Sequence, residues 1–109
     1  MIEFLASGSP RAVSRAIEEY ATADGHLTAI VVPWESQGGT VSMAVTSVKS
    51  DGWAIEHTNL GTITLTERGP DVTAVAVTSD DRDRHEHERL FALLDRFARQ
   101  IHDKFAVAR

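Results

Sequence analysis

The residues best suited to chemistry are five histidines and one acidic run. The histidines are His26, His57, His85, His87 and His102. Asp81, Asp83, His85, Glu86, His87 and Glu88 crowd into one short stretch. On a helix, Asp81 and His85 are four residues apart, as are Asp83 and His87, and such pairs can share a metal ion. The zinc-protease pattern fails, because Arg89 stands where a second ligand is required. The stretch therefore reads as the solvated, mixed-charge first turn of a helix, and no metal or other cofactor is expected. Glu56 and His57 are neighbours on an expected strand, so their side chains point to opposite faces and cannot act as a pair. If Trp53 and Ile55 face the core, His57 does too, unless a bulge intervenes. His102 lies at the edge of the apolar stripe of the last helix, where it can meet His57 as a core-edge histidine. Acid–base chemistry would have only His57, His102 and Tyr20 to use, and no spacing fixes them together. The chain has no cysteine, which removes disulfides, thiolate metal sites and cysteine nucleophiles. There is no glycine-rich phosphate loop and no Gly-x-Ser-x-Gly elbow.

The elements that must position these residues are legible from periodicity. Ser9 is a good N-cap and Pro10 suits a first helical turn. Val13, Ala16, Ile17, Tyr20 and Ala21 follow as one apolar stripe, and Gly25 is placed for a left-handed stop. Before this helix, Ile2 and Phe4 alternate with Glu3 as a short strand. A β-branched run at Ile30, Val31 and Val32 predicts another strand, and Gly38-Gly39 a loop. From Thr40 to Lys49, Val41, Met43 and Val45 take one face while Ser42, Ala44 and Thr46 take the other. Asp51-Gly52 is a hairpin cue. Trp53 begins an extended stretch to about Glu67, with a bulge expected at Asn59-Leu60-Gly61. Arg68 to Asp71 is a turn, and Val72 to Ser79 the last strand. Leu90, Leu94, Phe97, Ile101 and Phe105 follow helical spacing, in a helix of some 20 residues, about 30 Å long.

The expected fold is thus one α+β domain over residues 1–109, an antiparallel sheet in β-α-β-β-β-β-α order with a long C-terminal helix packed on it. Val41, Met43, Val45, Ile55, Val75, Phe97 and Ile101 should form its core. With that order, the stretch from Trp53 to Leu65, the turn Gly69-Pro70-Asp71 and the strand from Val72 to Val77, followed by the long helix, resemble the TATA-box-binding-protein-like fold. Within it the chain looks like a reduced helix-grip protein of the START, pollen-allergen and polyketide-cyclase kind. The resemblance implies a small apolar ligand held between the sheet and the C-terminal helix, and Tyr20, Trp34, Trp53, His57, Phe91 and His102 are the residues expected to line that site. The same aromatic groups could instead fill a packed core. Interior volume separates the two readings, and about 300 Å³ or more would favour a ligand.

Ser42, Thr46, Thr58, Thr62, Thr64, Thr66 and Thr73 give the sheet a threonine-rich side. It is either an ordinary wet face or the interface of a homodimeric interaction module. The formal net charge is −5, with 11 Lys and Arg against 16 Asp and Glu, which disfavours a nucleic-acid partner. The longest apolar run, Ala29 to Trp34, is too short to span a bilayer, so no membrane partner is expected. The first residues show no basic, apolar leader pattern, and a cytoplasmic location is expected.

Overall fold

The computed structural model describes residues 2–25, 27–50, 52–80 and 88–107. Strand β1 (Ile2–Ser7) leads into helix α1 (Pro10–Asp24), strand β2 (Leu27–Val31) and a 3-10 turn (Pro33–Glu35). Strands β3 (Thr40–Ser50), β4 (Ile55–Gly69) and β5 (Val72–Ser79) then form a meander, and helix α2 (Glu88–Phe105) follows. The local signals act as expected in α1. Ser9 accepts a hydrogen bond from the Ala12 N–H at 3.2 Å, and Gly25 closes the helix at φ 79°. Those two caps satisfy backbone groups that a helix leaves unpaired at its ends.

All strands pair antiparallel, in the order β1-β5-β4-β3-β2. The first two strands therefore lie at opposite edges, and α1 crosses the sheet to join them. Both helices cover the same face. Phe4, Ala29, Met43, Val45, Ile63, Leu65 and Val75 point into that layer from the sheet. Val13, Ile17 and Ala21 enter it from α1, and Phe91, Leu94, Phe97, Ala98 and Ile101 from α2. Tyr20 joins the helices, its ring 6.1 Å from Phe97 and 6.2 Å from Phe105. The chain ends its described course by adding to the sheet. Ala106 bridges to Ala6, and the Val107 N–H donates to the Leu5 carbonyl at 2.7 Å.

A bulge in β4 decides what faces where. Val45 pairs with Gly61 and Thr46 with Asn59, so Leu60 is an extra residue, and it is buried. Gly61 is required there, because a Cβ would collide with the Thr78 carbonyl oxygen of β5. The extra residue shifts the alternation by one. Ile55 and His57 would otherwise share the face of Ile63; instead they pair with Ser50 and Val48 on the other side. This corrects the expectation of a buried Ile55, which is 64% exposed. The ends of β3 and β4 also run past the helices as a two-stranded arm, and the domain is accordingly 45 Å long but only 27 by 26 Å across. Residues 52–54 lie at its tip, and pairing begins at Ile55 rather than at Trp53.

Candidate functional site

The sheet face opposite the helices carries a broad concave surface. Strand alternation puts Glu3, Leu5 and Ser7 of β1 on it, with Val72, Ala74 and Ala76 of β5. Register then aligns the rest in rows. One row runs Glu3, Ala76, Thr64, Ser42, and the next runs Leu5, Ala74, Thr66, Thr40. Thr73, expected on this side, instead faces the helices and is fully buried, its hydroxyl donating to the Gly8 carbonyl at 2.7 Å. Thr58 pairs with the buried Ser47 and is likewise on the helix side. The remaining threonines line the open face as expected.

A groove of about 670 Å³ lies across the β1, β5 and β4 part of this face. Ala74 and Ala76 form its floor, Leu5, His102, Ala106 and Val107 one side, and Thr64 and Thr66 the other. Glu3 stands at one end and Arg68 at the other. Arg68 reaches it through a second irregularity. Glu67 pairs with Thr73 and Gly69 with Val72, which leaves Arg68 as the unpaired residue between them. Neither Glu3 nor Arg68 has an ion-pair partner among the described residues. The far side of the face is tied down differently: Ser36 accepts from the Ser42 N–H at 3.1 Å, and the Ser42 hydroxyl donates to Glu35 at 3.4 Å.

The six residues expected to line a site between helix and sheet do not converge. Trp34 is 80% exposed on the 3-10 turn, and Trp53 is 98% exposed at the tip of the arm, toward the opposite end of the long axis. His57 is exposed on the arm, on the open side of the sheet. Phe91 is buried under α2, and Tyr20 is half-buried between the helices. His102 is exposed on α2, edge-on to Phe4 with ring centroids 5.4 Å apart and its Nδ1 3.3 Å from Asp103. Of the six, His102 alone lines the groove, while His57 lies apart from it on the arm. The run from Asp81 to His87 falls outside the described residues, and among those described no group of three His, Asp or Glu could hold a metal. Among them, too, no helix is long and apolar enough to cross a membrane.

Glu3, Leu5, Ala74, Ala76, Arg68 and Val107 were not anticipated as site residues. The period-two alternation of β1 and β5 carries the signal for the first four. Nothing local announces Arg68 or Val107, whose positions depend on a strand irregularity and on a long-range edge contact. Comparison with protein-family models, characterised proteins and solved structures finds no match for this chain.

Proposed function

We propose that this chain is a non-enzymatic, cytoplasmic interaction module that forms a homodimer through the open face of its sheet. The observation that carries this reading is a groove floored by alanines and flanked by threonines, on a face that neither helix covers. A small-molecule pocket encloses most of its ligand. This groove leaves one whole side open to water, and a second copy laid over it supplies the roof. The face is also of the right order of size. Neighbouring strands lie about 4.8 Å apart and residues rise about 3.3 Å along a strand. Five strands and the eight residues of β5 then give a patch of about 24 by 26 Å. That approaches the roughly 800 Å² per partner of a stable interface, before side-chain relief is counted. The absence of cysteine fits a reducing compartment.

The layer under α2 supports the same choice. Phe91, Leu94, Phe97 and Ile101 are each at most 3% exposed, and among the described residues no buried side-chain polar atom lacks a partner. An apolar ligand held there, as in the helix-grip relationship that the element order suggests, would have to displace packed side chains. The test is light scattering across concentration, with Thr64→Lys as the perturbation. Thr64 lies in the middle strand of the face, so an ammonium there would be buried against the partner without a counter-charge. A dimer that becomes a monomer on Thr64→Lys is expected. A wild-type chain that is monomeric throughout, or a dimer indifferent to Thr64→Lys, refutes this use of the face.

A further inference from the structure

We infer that Glu3 and Arg68 key the association, each Glu3 pairing with the partner's Arg68 across a twofold axis that passes over Ala74. This rests on the proposed face-to-face dimer and specifies its geometry. The two charges stand at opposite ends of one groove and are exposed. Neither has an ion-pair partner among the described residues. Within one chain they are too far apart to meet. Glu3 shares a row with Thr64, two strands away, and Arg68 is four residues further along that strand. Treating the sheet as locally flat, that is about 10 Å across and about 13 Å along, or about 16 Å in all.

Ala74 is the midpoint in both directions. It lies on β5, one strand from each neighbour, in the row two residues on from Glu3. In a symmetric dimer the same patch serves both subunits, and a residue on the axis meets its own copy. Such a residue has to be small and uncharged, and Ala74 is both. An axis above it, in the plane of the interface and perpendicular to the line from Glu3 to Arg68, exchanges those two ends. Two reciprocal ion pairs form at once. The strands of the two sheets then cross at about 70°, nearer the orthogonal than the aligned class of sheet packing. A face that carried one sign of charge would repel its own copy. Here one acid and one base, symmetrically placed about an alanine, make the surface complementary to itself. Both pairs sit at the rim, where salt reaches them, so the association weakens as ionic strength rises.

The test is a charge swap read by sedimentation equilibrium, with thermal melts as a folding control, since both side chains are exposed. Glu3→Arg alone sets like charges together twice, and so does Arg68→Glu alone. Each should raise the dimer dissociation constant by about tenfold or more at low salt. The double variant, Glu3→Arg with Arg68→Glu, should return it to within about threefold of wild type, because the pairs re-form with their signs reversed. Single variants that dimerise like wild type overturn the pairing but leave a face-to-face dimer standing if Thr64→Lys still breaks it. A double variant as weak as the singles also overturns the pairing. A wild-type chain that stays monomeric overturns the pairing together with the reading on which it rests.

Discussion

Replacing Phe97 by alanine distinguishes a filled layer between α2 and the sheet from a hollow one. Phe97 is 1% exposed, and its ring lies 6.1 Å from that of Tyr20. Around it are Leu94 and Ile101, which are 2% and 0% exposed. Truncating an aromatic ring in such a setting removes its transfer free energy and leaves a cavity that the surroundings only partly close. The cost should be about 3–5 kcal/mol. A domain of this size is stable by roughly 5–15 kcal/mol, so the variant loses between about a fifth and all of its margin. With a urea m-value of about 1–3 kcal/mol per molar, the midpoint of denaturation should fall by about 2 M. Urea titration followed by far-ultraviolet circular dichroism reads this directly. Unfolding of Thr64→Lys measured alongside separates core loss from lost association. A loss below about 1.5 kcal/mol would refute close packing and would mean that Phe97 already borders a void.

Gly61→Ala should cost about 2 kcal/mol or more, because the new Cβ meets the Thr78 carbonyl and β5 must shift; a thermal melt within about 2 °C of wild type would contradict that. Trp53→Ala and His57→Ala should each change stability by less than about 0.5 kcal/mol, since both residues are exposed on the arm. Chemical denaturation checks both, and a loss above about 1.5 kcal/mol in either would place that side chain in the core after all.

Much of the fold was legible because its signals are local. Ser9, Pro10 and Gly25 bound α1 through caps that depend on a few neighbouring residues. The alternation in β3 puts Val41, Met43 and Val45 inside, and the expected bulge at Asn59-Leu60-Gly61 is present. What the bulge does downstream is harder to read. One extra residue carries Ile55 and His57 to the other side of the sheet, and the length of the arm takes them beyond the helices, which no residue type in the segment announces. Trp34 and Trp53 illustrate a related limit. Large aromatic residues are expected to bury area, yet these two sit on a turn and at a strand tip, where backbone position overrides side-chain preference. The groove was legible only in part. Thr64 and Thr66 follow from alternation, but bringing Glu3 and Arg68 to its ends requires knowing that β1 pairs with β5 at the far end of the chain.

The most direct test of association through the open face is a distance measured across it. The chain has no cysteine, so Thr78→Cys gives a single site for a spin label. Thr78 is exposed on the open side of β5, where a label disturbs little packing. Packed sheets lie about 10 Å apart, and the patch is about 25 Å wide, so two labels in a face-to-face dimer should be less than about 30 Å apart. Docking through the helices would leave the two open faces outermost, separated by two domain thicknesses of 26 Å each, or about 50 Å. Pulsed dipolar spectroscopy that gives a distance below about 30 Å, lost on Thr64→Lys, is the expected result. A distance beyond about 35 Å, or no dipolar coupling at concentrations where the chain is not monomeric, would contradict association through this face.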